Sequence, residues 1–198
     1  MPVIFNEKNK ENIRENMLEK GFELLKSYGI RRMTVEMIAK SCGLAKGTFY
    51  TFFPSKEEFV FQIVQYKREI VKEKYTRMLQ QYGKLGREEL QEFFLYLRTQ
   101  DVNVYKYLDE NDMAYLTTKW PSEYVFSPQK DEQTTQWMLD GMRGVRKECN
   151  WKVFANYMKA HALFDLNRST FHEDALPETQ MVFQGAILDY LFGADTVK

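Results

Sequence analysis

The sequence predicts an all-α protein. Apolar residues recur at the three-and-four spacing of helices, and no segment sustains the period-two alternation of a half-buried strand. The breaks between the periodic stretches fall at Gly, Pro and Ser. At 198 residues, 44% hydrophobic and 28% charged, the composition is that of a folded globular chain and excludes wholesale disorder. The length suits one large domain or a small one joined to a larger one.

The first helix is expected over residues 8–28, where Ile13, Met17, Gly21, Leu24, Leu25 and Tyr28 share one face and Gly29 supplies a left-handed cap. Thr34 opens a short second helix that turns Val35, Ile38, Ala39 and Cys42 inward and ends at Gly43. A third short helix runs from about Ala45 to Phe52, before Pro54. Ser55-Lys56-Glu57-Glu58 has the form of a capping box and starts a long helix to about Gln81. Three or four helices are expected between residues 87 and 148, interrupted at Trp120-Pro121-Ser122 and Ser127-Pro128. Residues 151–168 place Trp151, Phe154, Ala155, Met158 and Ala162 on one stripe. Residues 177–192 are apolar nearly all round, which predicts burial from several sides. The expected place for such a helix is a subunit interface, with Gly185 and Ala186 allowing close approach. The alternative is a central core helix of one subunit.

Charge and cysteine content exclude several classes. Lys and Arg total 28 and Asp and Glu total 28, so a uniformly basic coat is out. The charge is polarised, however: residues 1–56 carry ten Lys/Arg against six Glu, and the remainder eighteen against twenty-two. That favours an anionic partner at the N-terminal end. Two cysteines, Cys42 and Cys149, and two histidines, His161 and His172, supply neither a disulfide framework nor a zinc spacing. Neither a signal-peptide core nor an apolar run of membrane-spanning length occurs, and a cytoplasmic protein is expected. No nucleophile–base constellation or Gly-rich phosphate loop is found, so neither catalysis nor a cofactor is expected.

Residues 34–56 are the candidate site. Two short helices joined by a Gly-containing turn form a helix-turn-helix, with Ala39 small enough for a close crossing and Phe49, Phe52 and Phe53 as inner anchors. The outer face of the second helix offers Lys46, Gly47, Thr48, Tyr50 and Thr51 without an acid. Gly47 lets backbone approach a phosphate, Thr48 and Tyr50 donate hydroxyl hydrogen bonds, and Lys46 supplies a cation. Thr34 and Lys56 lie near helix N-termini, where the dipole favours anions. Such contacts position a protein on duplex DNA without reading its sequence.

At these residues the chain resembles the tetracycline-repressor (TetR) family of transcriptional regulators. The family pattern A-x-x-L-F-x-x-x-G, T-x-x-x-I-A, A-G-V-S-x-G-T-x-Y-x-Y-F and x-S-K-E-x-L reads here as Gly21-x-x-Leu24-Leu25-x-x-x-Gly29, Thr34-x-x-x-Ile38-Ala39, Cys42 through Phe53, and Ser55-Lys56-Glu57-Glu58-Phe59. The match covers roughly residues 10–60. Cys42 replaces a usual Ala, Ala45 a usual Ser that would cap the recognition helix, and Phe52 a usual Tyr.

The resemblance implies an all-helical homodimer of about nine helices. Residues 1–54 would bind DNA through Thr34, Lys46, Gly47, Thr48, Tyr50, Thr51 and Lys56; residues 55–198 would bind a small-molecule effector and dimerise. The expected function is a regulator, a repressor, that holds a near-palindromic operator as a dimer and is released by the effector. Aromatic residues between 87 and 176 supply effector candidates: Phe94, Tyr115, Trp120, Trp137, Tyr157 and His161, with Tyr124 and Phe126 in the same aromatic-rich stretch. Acids outnumber Lys/Arg seven to three between residues 101 and 132, which suits a flat cationic effector or a solvated acidic surface. The dimer interface is expected at Trp151, Met158, Val182, Gly185, Ala186, Ile187 and Leu191. The competing reading is a helical protein–protein adaptor that uses the helix-turn-helix for packing alone.

Overall fold

A computed structural model describes residues 7–120 and 127–194. Among the described residues there are nine α-helices and no strand. They are α1 (Glu7–Arg32), α2 (Val35–Ser41), α3 (Lys46–Phe52), α4 (Lys56–Tyr82), α5 (Arg87–Thr99), α6 (Glu110–Thr117), α7 (Pro128–Asp140), α8 (Trp151–Leu166) and α9 (Leu176–Phe192). An isolated parallel bridge pairs Leu85 with Met142. Tyr124, Phe126 and the break expected at Pro121-Ser122 lie outside the described residues. The chain divides into two compact units, one drawn from Met1–Arg68 with Tyr107–Pro121 and the other from Glu69–Lys106 with Ser122–Lys198. No described helix is long and apolar enough to cross a membrane.

In the first unit, α1 buries Met17, Leu18, Phe22 and Leu25. Gly29 adopts φ 67°, as the expected cap requires, and three more residues follow the kink before the helix ends. Tyr28, expected inward, is exposed at the kink. The rings of Phe49, Phe53 and Phe59 form the core beneath the helix-turn-helix, with centroids 5.5, 5.3 and 4.7 Å apart. Gly21 lies against this cluster so closely that a Cβ there would stand 2.2 Å from Phe59 Cζ. The segment 107–121 joins this unit through Trp120, whose Nε1 donates to the Glu57 carbonyl at 2.8 Å and whose ring meets Phe61 at 5.5 Å.

The caps follow the sequence. Thr34 Oγ1 accepts from Met37 N at 3.2 Å at the start of α2, and Ser55 Oγ accepts from Glu58 N at 3.0 Å in the first turn of α4. Ala45 occupies the N-cap of α3 and offers no side-chain acceptor. Ala45→Ser is therefore expected to raise stability by about 1 kcal/mol, read as a higher midpoint of chemical denaturation. An unchanged midpoint would mean that water serves the α3 amides equally well.

The second unit packs Tyr75, Leu90, Phe93, Phe94, Met138, Phe154, Ile187, Leu188 and Leu191 into one core. Tyr75 donates its hydroxyl to the Met138 carbonyl at 2.6 Å, so this wholly buried phenol is satisfied. The last helix is two-faced in an unusual sense. It sends Gln180 and Gln184 inward with Ile187, Leu188 and Leu191, and leaves Met181, Val182 and Ala186 exposed.

Candidate nucleic-acid interface

Cys42–Ala45 separates α2 from α3, with Gly43 at φ 69° and Leu44 N donating to the Ala39 carbonyl at 2.9 Å. Burial of Ile38 and Ala39 on α2 and of Phe49 on α3 fixes the pair from the inside. The opposite face of α3 is open. Lys46, Gly47, Tyr50 and Thr51 are exposed and Thr48 is half-buried. Tyr50 is 53% exposed while its ring meets Phe49 edge-on at 5.3 Å, so a solvent-facing phenol is braced by the core. A Cβ on Gly47 would meet nothing within 4 Å, which leaves the first turn of α3 free for close backbone approach.

Electrostatics point the same way. No acid occurs between Glu36 and Glu57, a stretch that carries Lys40, Lys46 and Lys56. Lys40, exposed in the last turn of α2 one turn after Glu36, is a cation the motif-based reading passed over, and the absence of acids from there to Glu57 was the available signal. Thr34 is exposed; its oxygen caps α2, and its hydroxyl proton remains available to a phosphate. Lys56 is placed differently from expectation. Its Nζ donates to the carbonyls of Ile30 at 2.9 Å and Met33 at 3.2 Å. Cys42 is half-buried with its Sγ 3.9 Å from the Asn16 carbonyl, and burial pushes its thiol up, away from reactive thiolate.

Residues 17–63, which contain this whole arrangement, match the family model for bacterial regulatory proteins of the tetR family. Over residues 17–63, under a third of its length, the chain is similar to the tetR family. A stretch of 59 residues is 36% identical to the HTH-type transcriptional regulator YuxN of Bacillus subtilis (strain 168), covering 30% of this chain and only 19% of YuxN. Two solved structures share the fold over nearly the whole chain. The reduced form of NemR from E. coli matches with a TM-score of 0.61 at 16% identity, covering 93% of this chain and 100% of NemR. The fatty acid degradation regulator FadR from Bacillus halodurans matches with a TM-score of 0.60 at 16% identity, covering 88% and 94% of the two chains.

The six effector candidates do not meet at one place. Tyr115 and Trp120 belong to the first unit, where both hold Glu57, the former through its hydroxyl at 2.7 Å. Phe94, Trp137, Tyr157 and His161 belong to the second. Phe94 is a core residue at 2% exposure, Trp137 packs on Tyr75 at 5.1 Å, and Tyr157 meets Phe183 at 5.1 Å. His161 Nε2 lies 2.8 Å from Gln184 Nε2. That amide also donates to the Phe94 carbonyl at 3.3 Å, and its oxygen accepts from Arg98 at 3.3 Å. The amide orientation is thus fixed, and His161 accepts as a neutral ring. Burial holds its pKa below the usual value, with Asp165 opposing and Arg98 assisting. A surface depression of about 540 Å³ is lined by Gly86, Arg87, Glu89, Arg143 and Phe192, none of them an effector candidate.

The interface candidates divide as well. Val182 and Ala186 are exposed, and Trp151, Met158 and Gly185 half-buried. A Cβ on Gly185 would meet nothing within 4 Å. Ile187 and Leu191, by contrast, are wholly buried in the core of the second unit, so neither presents a surface to a partner. Because α9 is apolar on both sides, its periodicity did not distinguish the inward from the outward apolar row.

Proposed function

We propose that this protein is a cytoplasmic, non-enzymatic DNA-binding transcriptional regulator, a repressor, that holds a near-palindromic operator as a homodimer and is released by a small-molecule effector. The observation that carries the reading is the outer face of α3: Lys46, Gly47, Thr48, Tyr50 and Thr51, braced from beneath by Phe49 in a stretch with no acid between Glu36 and Glu57. Thr34 adds a hydroxyl donor at the start of α2. Residues 1–54 engage DNA, and residues 55–198 take the effector and the second subunit. The two recognition helices of the dimer enter successive major grooves about 34–36 Å apart. The effector favours a subunit conformation with a different separation and acts only through its differential affinity for the two states. Trp137, Tyr157 and His161, each half-buried, are the effector candidates of the second unit that a ligand can reach.

Selection of duplex DNA from a random pool, followed by titration at several salt concentrations, tests the reading. An enriched near-palindrome bound with a steep salt slope supports it; no enrichment favours the adaptor. On the selected operator, Tyr50→Ala is expected to weaken binding about tenfold, with an unchanged far-ultraviolet spectrum because the side chain is half outside the core. An unaltered dissociation constant would remove Tyr50 from the interface.

A further inference from the structure

Lys56 is the first residue of α4, yet its ammonium serves the end of α1. The Ile30 carbonyl belongs to the last turn of α1, beyond the Gly29 kink, and the Met33 carbonyl to the residue that follows it, where a helix leaves acceptors without intrahelical partners. A cation is favoured at such an end. The side chains of Ile30 and Met33 are 2% and 0% exposed, so the turn is held by burial on one side and by the ammonium on the other. Met33 is followed directly by Thr34, whose hydroxyl oxygen caps α2, and α2 carries Ile38 and Ala39 against the core that seats α3.

We infer that Lys56 is a positioning residue for DNA binding: it ties the α1–α2 turn to the start of α4 and acts on DNA through the placement of Thr34 and the helix-turn-helix, not as a phosphate ligand. Two of its three N–H donors are spent on the Ile30 and Met33 carbonyls. This rests on the DNA-binding reading above for its functional half; the tie itself is independent of it.

The test compares Lys56→Met, which keeps the apolar stem and removes the ammonium, with Lys46→Met on the outer face of α3. Operator binding is titrated at several salt concentrations, at a temperature where both variants are folded, alongside backbone amide spectra without DNA. Lys46→Met is expected to make the salt slope shallower by about 0.9 for each phosphate it no longer neutralises. Lys56→Met is expected to weaken operator binding about tenfold while keeping the wild-type slope, and to shift the Met33 and Thr34 amides in the free protein. A shallower slope for Lys56→Met makes it a phosphate ligand and overturns the inference, as does wild-type affinity in the folded variant. Should Lys56→Met not fold, the Lys56 Nζ resonance of the wild-type protein is followed as operator is added. It stays in place if the ammonium remains on the carbonyls and moves if it turns to phosphate. If the wild-type protein selects no DNA at all, the regulator reading falls, while unshifted Met33 and Thr34 amides in Lys56→Met would separately remove the tie.

Discussion

Val182→Glu is expected to give a folded monomer, and Ile187→Glu no folded protein. Both residues lie on α9, five positions apart, and both belong to the apolar set that the sequence assigns to an interface. Ile187 has no exposure and packs in the core of the second unit with Phe94, Leu188 and Leu191. A carboxylate forced in among these apolar side chains costs several kcal/mol against a typical total stability of about 5–15 kcal/mol. Val182 is 68% exposed beside Met181 at 53%. A charge there changes the stability of the isolated subunit by no more than about 0.5 kcal/mol. In a two-fold dimer the same patch is used by both subunits, so one substitution brings two carboxylates into an apolar contact. Sedimentation velocity and circular dichroism on the two variants separate the cases. A dimer mass for folded Val182→Glu would take this face out of the interface. Folded, monomeric Ile187→Glu would return Ile187 to it.

The inward–outward arrangement of α9 strengthens the expectation. A solitary subunit that buries Gln180 and Gln184 while exposing Met181 and Val182 has its polar and apolar groups the wrong way round for water. The buried amides are satisfied: Gln180 Nε2 donates to Asp165 at 3.0 Å, and Gln184 bridges His161 and the Phe94 carbonyl. The exposed row is not, and Val153 and Leu163 on α8 are exposed in the same unit. A second copy of the chain is the partner we propose for it.

Much of this architecture is legible in the sequence. Helix limits are local events, set by Thr34, Gly43, Pro54 and the Ser55–Glu58 box, and the structure puts its helix ends within a few residues of each. The open face of α3 was legible for the same reason: on a seven-residue helix, one buried Phe49 decides which side is out. What was not legible depends on contacts distant in sequence. Tyr115 and Trp120 look like pocket aromatics in a linear reading, yet their hydrogen bonds run to Glu57, roughly sixty residues earlier. Lys56 looks like a phosphate ligand until the carbonyls 26 and 23 residues upstream are found beside it. Periodicity shows that α9 has apolar rows but not which of them faces the core.

Gly21→Ala is expected to destabilise the first unit, and the same change to stabilise it in a Phe59→Leu background. Alanine in a helix interior is better than glycine by about 1 kcal/mol, so the substitution would be favourable on an exposed face. Gly21 is buried, however, and its Cβ would stand 2.2 Å from Phe59 Cζ and 2.4 Å from Cε1. That ring has nowhere to withdraw. It is wholly buried and wedged against Phe53 at 4.7 Å and Phe49 at 5.3 Å. Overpacking of a filled core costs about 1–3 kcal/mol, which outweighs the propensity gain and leaves a net loss of about 1 kcal/mol or more. A leucine in place of Phe59 has no atoms where the ring edge was, so the added methyl then enters vacated space and the propensity gain of about 1 kcal/mol returns. A denaturation cycle over the four proteins measures the coupling directly. Additive effects would show that the Phe59 ring moves aside at little cost. The consequence reaches the open face of α3: Phe59 supports Phe49, and Phe49 braces Tyr50. Gly21→Ala should therefore also weaken operator binding under conditions where it is folded, and Phe59→Leu should restore that binding in the double variant.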